Sequence, residues 1–321
     1  MLKHGAGGES MNKLIDGMRD RMPDGGWMGV RKDSAYVKHG KCYLAYTTDS
    51  FTVKPLFFPG GDIGKLAVAG TVNDLAVMGA DPIALSLAVI VEEGFPCEEL
   101  GRIITSVGKE ARKTGVPVVT GDTKVMGRGE LDGILLNTSG IGKANTILDG
   151  KIARGDVIIV SAPVGEHEAS LLASRFNYKT GLKSDCKSLL DEMRAVRGIV
   201  KTAKDPTRGG LVSALNDIAV QNNAVLRLNE ERIPVRKPTK AIAEFLGVSP
   251  IHMACEGVFT CVARKKDADR VVEILREYNP RASVIGTVED VGSSHGLVME
   301  TSIGGLRRIK PSDGTLNPRI C

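Results

Sequence analysis

A mixed α/β (α+β) protein of two domains is predicted by three features of the chain. Its 321 residues correspond to about two domains at roughly 150 residues each. A grammar of strand followed by amphipathic helix fills the first half, breaks at the polar, glycine-bearing stretch 143–156 (KANTILDGKIARGD), and then resumes. Finally, 42% hydrophobic and 25% charged residues with a mean hydropathy of −0.03 match globular domains with helices packed on sheets, not disordered or fibrous chains.

The elements follow in order. Residues 41–53 read as a strand pair, or as one strand broken near Asp49. From Gly61 to Gly79 the period turns helical, with Val68, Val72, Leu75, Ala76 and Gly79 on one face. Asp62 near its start suits the helix dipole. Gly79-Ala80-Asp81-Pro82 stops this helix, and Ile83 to Val91 is a buried strand. Cys97 to Thr114 is an amphipathic helix ended by Gly115. Val116 to Thr120 is a strand delivering Gly121-Asp122-Thr123-Lys124 at its C-terminal end, and Asp132 to Ile141 is another. Beyond a boundary near residue 150 come a strand (Asp156 to Ser161), helices (Glu166 to Phe176, Lys187 to Lys201) and a helix to Gln221 opened by Asp205 to Gly210 (DPTRGG). A short strand, a helix (Lys237 to Leu246), a strand (Val258 to Ala263), a helix (Lys266 to Tyr278) and two or three strands complete residues 151–310. Residues 311–321 (PSDGTLNPRIC) read as an extended, mobile tail.

Composition narrows the function. Lys and Arg total 43 against 38 Asp and Glu, a net charge of +5 with both signs interspersed, and only 4% of residues are aromatic. That is not the basic, ring-bearing surface of a single-strand nucleic-acid binder. No apolar run reaches the roughly 18 residues of a membrane span, and the start (MLKHGAGGESMNKL) lacks the apolar core of a secretory signal, so a cytoplasmic protein is expected. Six cysteines without a C-x-x-C spacing make neither a disulfide scaffold nor a structural zinc site. Cys42, Cys97 and Cys261 are expected to be buried thiols, whereas Cys321 stands last in the sequence.

Glycine is the informative residue. There are 38, and four clusters stand beside charges: Gly5 to Gly8, Pro59 to Asp62, Gly121 to Lys124, and Thr207 to Gly210. Glycine lets backbone N–H groups converge on an anion, so the clusters are candidates for phosphate binding or plain turns. Gly60 to Lys65 is one residue short of a phosphate-loop fingerprint and Leu66 stands where Ser or Thr should follow. No dinucleotide-binding glycine motif occurs either. A nucleotide would therefore need carboxylates for Mg²⁺, and the candidates are Asp33, Asp49, Asp62, Asp74, Asp122 and Asp205. Asp74 is the least easily dismissed, because Asn73 and Asp74 put two polar residues side by side in an apolar helix.

These residues carry a resemblance. Thr47-Thr48-Asp49-Ser50, Pro55 to Lys65 (PLFFPGGDIGK) and Gly70 to Ala80 (GTVNDLAVMGA) resemble the N-terminal signature of the HypE family of nickel–iron hydrogenase maturation factors. His4 to Gly8 (HGAGG), Thr120 to Lys124 (TGDTK), Asp205 to Gly210 and the final Pro318 to Cys321 (PRIC) match in order. The resemblance implies an aminoimidazole ribonucleotide synthetase-like fold, with residues 1–150 binding ATP and forming a homodimer through their sheet. It further implies that Cys321 is carbamoylated by the carbamoyltransferase HypF. ATP-dependent dehydration of the thiocarboxamide then gives a thiocyanate, and its cyanide passes to iron on the HypC–HypD complex.

Carried onto this sequence, the resemblance assigns Asp33, Asp49, Asp74 and Asp205 to Mg²⁺. Gly5, Gly7, Gly8, Asp62, Lys65, Asn73 and Asp122 fall to ATP, and Cys321, Glu256 and Lys124 to catalysis. Glu256 or Lys124 is expected to accept the proton or stabilise charge. The chain departs from the family pattern in three places: Lys32 replaces one of paired acids, Glu168 replaces a glycine after His167, and Cys255-Glu256-Gly257-Val258 stands where Asn-Glu-Gly-Lys is usual. A selenophosphate synthetase-like kinase is the alternative enzyme, though its reactive cysteine is missing from the N-terminal glycine-rich loop. A non-catalytic ATP-binding scaffold is the alternative outside enzymes.

Overall fold

The computed structural model describes residues 9–311 apart from residue 24. The first half runs α1 (Glu9–Arg19), β1 (Ala35–His39), β2 (Cys42–Phe51), the short pair β3 (Phe57–Phe58) and β4 (Gly61–Asp62), and α2 (Ile63–Val77). It continues through β5 (Asp81–Glu92), α3 (Cys97–Thr114), β6 (Val118–Met126) and β7 (Ile134–Ala144). The second half runs β8 (Val157–Val160), α4 (Glu166–Arg175), α5 (Leu190–Val196), β9 (Val200–Lys204), α6 (Gly210–Asn222) and β10 (Ala224–Asn229). Then follow α7 (Lys237–Leu246), β11 (Thr260–Ala263), α8 (Ala268–Tyr278), β12 (Ser283–Val291), β13 (Gly296–Glu300) and β14 (Leu306–Ile309).

Two sheets organise these elements. The first has the order β1-β2-β7-β5-β6, antiparallel except for the β5–β6 pair, and the second the order β14-β13-β10-β12-β8-β11-β9. The mixed α/β reading holds in both halves. Strand β2 is a single unbroken strand, because its ladder to β7 continues through Asp49↔Thr138 to Phe51↔Leu136.

Strand β6 corrects an expectation. Asp122 and Lys124 lie inside the strand rather than in a loop after it, paired opposite Ala88 and Ile90 of β5. Gly121 permits this, since a Cβ there would lie 2.1 Å from the Leu87 carbonyl oxygen. The helix expected over 187–201 also divides, into α5 and then β9. Gly198 interrupts it, and the β-branched Val200 and Thr202 join a ladder with β11, so tertiary pairing overrides the local helical period.

Helix α2 lies at the centre. Asp62 caps it, accepting from Gly64 N at 2.8 Å and Lys65 N at 3.0 Å. Thirteen of its 15 residues are buried, all but Lys65 and Asp74. It is therefore apolar all round rather than on one face, as a helix enclosed on every side must be. Val68, Val72, Ala76 and Val77 of α2 share one core with Val157 and Ile159 of β8, Met193 of α5, Cys261 of β11 and Leu275 of α8. On the other side Thr71 Oγ1 meets Thr138 Oγ1 of β7 at 2.5 Å.

Candidate active site

Asp74, one of the two residues of α2 that are not buried, belongs to a cluster of acids. One carboxylate oxygen each from Asp33, Asp74 and Asp205 lies within 4.8 Å of the others. The three come from distant parts of the chain: Asp33 from the turn before β1, Asp74 from α2, Asp205 from the residue after β9. Thr47 Oγ1 donates to Asp74 Oδ2 at 2.7 Å, and Ser34 Oγ to the Asp74 carbonyl at 3.0 Å. Asp49 is near enough for its carboxyl and that of Asp74 to act on each other.

So many acids in little water disfavour full ionisation. Burial, then the charges of Asp49, Asp205 and Asp33, push the Asp74 carboxyl well above the ordinary range. Burial and the charge of Asp33 take Asp205 up to about 8, against the opposing pull of Lys204. Asp49 is raised chiefly by burial. A divalent cation would reverse this by supplying the missing positive charge. The donor set fits one: hard carboxylate oxygens suit Mg²⁺, whose ligands at about 2.1 Å put opposite oxygens about 4.2 Å apart. Adjacent ligands of such an ion lie only about 3 Å apart, so the three carboxylates would draw together to close on it. Asp33, Asp74 and Asp205 are thus brought together, with Asp49 near enough for its charge to act on Asp74 and Asp205.

Glu256 stands beside them. Burial, then the charges of Asp205, Asp185 and Asp49, raise its carboxyl well above the ordinary value, while Arg208 opposes this. Its main chain is clamped on two sides: Glu256 N donates to Asp185 Oδ1 at 3.0 Å, and Asn73 Nδ2 donates to the Glu256 carbonyl at 3.2 Å. Gly257 is required there, because a Cβ would lie 1.9 Å from the Asp185 carbonyl oxygen.

Other expected site residues are engaged differently. Asn73, expected at the nucleotide, spends its amide on the second half of the chain, donating also to the Lys187 carbonyl at 3.1 Å and accepting from Leu189 N at 2.7 Å. Asp62, likewise expected at the nucleotide, is the α2 cap, and its second oxygen accepts from Ser106 Oγ at 2.7 Å. Lys65 Nζ folds back on the Gly60 carbonyl at 2.9 Å. Gly60, with φ +99°, is packed where a Cβ would lie 2.6 Å from the Ser184 carbonyl oxygen, so this cluster is a close-packed turn. Asp122 and Lys124 are exposed on β6. From Asp49 the register crosses Thr138 and Leu87 to Gly121, so β6 stands three strands, about 14 Å, from the acid cluster. Gly5, Gly7, Gly8 and Cys321 lie outside the described residues.

Of the thiols expected to be buried, Cys261 is, but Cys42 is half-buried and Cys97 is exposed, because it opens α3 at the surface. Lys32, where the family pattern has an acid, pairs with Asp149 and leaves Asp33 to the cluster. Sequence reasoning missed Lys204, whose ammonium pairs with Asp33 and lies 3.5 Å from Asp217, and it missed Asp185. The signals were present: a lysine adjoining Asp205 at a strand end, and an acid between the apolar residues Leu182 and Leu189.

Residues 31–144 match the family model of the AIR synthase related protein N-terminal domain, and residues 153–298 that of its C-terminal domain. The chain is 40% identical to carbamoyl dehydratase HypE of Rhizobium leguminosarum bv. viciae, over 100% of this chain and 94% of the relative. The chain belongs to the HypE family. Similarity to HypE of Azotobacter vinelandii is also 40%, over 99% of this chain and 96% of that one. Among solved structures, a HypE in complex with ATP superposes with a TM-score of 0.83 at 38% identity, covering 100% of this chain and 99% of its own. The HypE of a HypE–HypF complex does so with 0.86 at 36%, covering 93% and 99%. A thiamine monophosphate kinase from Aquifex aeolicus at 17% identity shares the fold, with a TM-score of 0.70.

Proposed function

We propose that this chain is an ATP-dependent carbamoyl dehydratase of hydrogenase maturation, which converts a carbamoyl group on Cys321 into a thiocyanate. The observation that carries the reading is the Asp33–Asp74–Asp205 cluster beside the clamped Glu256, in a chain whose relatives are carbamoyl dehydratases and include one solved with ATP. The substrate's amide oxygen is a poor leaving group. Transfer of the γ-phosphoryl of ATP to that oxygen makes it a good one, with ADP as product. Two N–H protons then leave as the C–O bond breaks, releasing phosphate and forming C≡N. Glu256, held away from water, accepts a proton. Mg²⁺, held by Asp33, Asp74 and Asp205 with Asp49 beside them, would neutralise phosphate charge. The cyano group then passes to iron on the HypC–HypD complex, which would have to supply the two electrons that leave Cys321 as a thiolate.

The same reading makes HypF the carbamoyl donor, since a HypE relative is solved with HypF. It places the protein in the cytoplasm, with a domain boundary near residue 150 and residues 311–321 as the carrier segment. Among the described residues no helix is long and apolar enough to cross a membrane. The functional unit is a homodimer formed on the β6 side of the first sheet, where Val119 and Val125 are 64% and 65% exposed. A second copy would return Asp122 and Lys124 to an acid cluster that their own chain holds three strands away. Lys124 then stabilises charge beside the thiocarboxamide, and Gly5, Gly7 and Gly8 close over the nucleotide with Lys65 near its phosphates.

Mass spectrometry after incubation with HypF, carbamoyl phosphate and ATP tests the reading. It expects an adduct of about +43 Da on Cys321 that converts to about +25 Da. Cyanide transfer by a Cys321→Ala protein would overturn it.

A further inference from the structure

Lys204 is the last residue of β9, directly before Asp205. Its ammonium pairs with Asp33 Oδ1 and lies 3.5 Å from Asp217 Oδ2 on α6. Little of the pair meets water: the side chains of Lys204 and Asp33 are 16% and 10% exposed, against 29% for Asp217. Lys32 is not an alternative cation for this cluster, because it is bound to Asp149. Arg208 lies close enough for its charge to act on Asp49 and Glu256, and it is exposed. Lys204 therefore holds an oxygen of the very carboxylate that a cation bound by Asp33, Asp74 and Asp205 would need.

We propose that Lys204 is a resident counter-cation that cedes Asp33 to an incoming divalent ion by moving onto Asp217. This rests on the reading of Asp33, Asp74 and Asp205 as cation ligands. An ammonium on a flexible four-carbon stem can make such a move without disturbing the backbone. Before the ion arrives, Lys204 offsets the mutual repulsion of the acids. When it arrives alone, it must displace an ion pair shielded from water, which weakens its binding. When it arrives with a nucleoside triphosphate, phosphate oxygens supply further ligands and negative charge that outweigh the ammonium. Lys204 thus makes the site selective for the ion–nucleotide complex over the free ion.

The test is titration of the full chain with Mn²⁺ alone, followed by the electron paramagnetic resonance signal of free Mn²⁺. Lys204→Met should bind Mn²⁺ about tenfold more tightly than the unaltered protein. Asp217→Asn, which removes the second partner of Lys204, should weaken binding in the unaltered background and change it much less when combined with Lys204→Met. Equal or weaker binding by Lys204→Met overturns the proposal, as does an Asp217→Asn effect of the same size in both backgrounds. Should Lys204→Met fail to fold, Asp217→Asn alone decides, and unchanged affinity overturns the exchange. Asp74→Asn separates this from the reading beneath it: Mn²⁺ binding indifferent to Asp74 removes the cation site itself, and the exchange with it.

Discussion

Asn73 and Glu256 are 183 residues apart in sequence, and the Asn73 amide donates to the Glu256 carbonyl at 3.2 Å. One residue of α2 thus fixes the candidate base, while the next, Asp74, enters the acid cluster. The spacing between acid cluster and base is set within a single turn of helix.

Asn73→Ala should accordingly lower stability by about 2–3 kcal/mol, because the Lys187 carbonyl and Leu189 N–H lose their side-chain partner and the Glu256 carbonyl keeps only Lys187 N. Urea denaturation measures it. A loss below about 1 kcal/mol would mean that water replaces the clamp.

Asp74→Asn should abolish ATP hydrolysis with the fold intact. Removing one of several crowded charges relieves repulsion, so the melting temperature should hold or rise. Unchanged hydrolysis would remove Asp74 from the site.

Neither half alone announces the acid cluster in sequence. The aspartates could be read as candidates because they stood near glycine clusters or at strand ends, and Asp74 because it broke an apolar helix. What they converge on is decided by the packing of β9 against the first half, and β9 begins with two residues, Val200 and Lys201, that read as the end of a helix. Asn73 and Asp62 show the complementary limit. Their polarity in apolar surroundings was a sound signal, but a backbone clamp and a helix cap leave the same sequence trace as a ligand contact. The glycines at 60 and 121 likewise answer to close backbone approach, which sequence cannot tell from an anion cradle.

If the proposed homodimer forms, mixing Asp74→Asn protein with Lys124→Ala protein, under conditions that allow exchange, should restore about a quarter of the dehydration rate. Half of the dimers would be mixed and one of their two sites intact. No recovery on mixing two inactive parents would show that Lys124 acts within its own chain or elsewhere.

Gly257→Ala should destabilise the protein by about 3 kcal/mol or more, since the new methyl collides with the Asp185 backbone and not with a movable side chain. Thermal unfolding reads this directly. A near-native melting temperature would show that the Glu256 loop yields.

His167 is buried, with Nδ1 2.7 Å from Ser184 Oγ, and burial lowers its pKa to about 3. The unfolded chain takes up a proton below about pH 6.5 that the folded chain refuses. Stability contributed by neutral His167 is therefore complete above that pH and declines as pH falls toward 3, by at most about 1.4 kcal/mol per pH unit. The stability difference between the unaltered protein and His167→Gln should shrink across this window. A difference independent of pH would show that His167 takes up its proton as readily in the folded chain as in the unfolded one.

The enclosure of α2 has a consequence for how the molecule is made and lost. A gene cut at the glycine-bearing stretch 143–156 would give a first fragment whose central helix shows Val72, Ala76 and Val77 to solvent. Its second fragment would be stripped of the cover over Val157, Ile159 and Leu275. Both pieces would be expected to aggregate when produced separately and to be rescued by synthesis together. Heating the whole chain should show one calorimetric transition and not two, because the two large sheets share a single seam of stability.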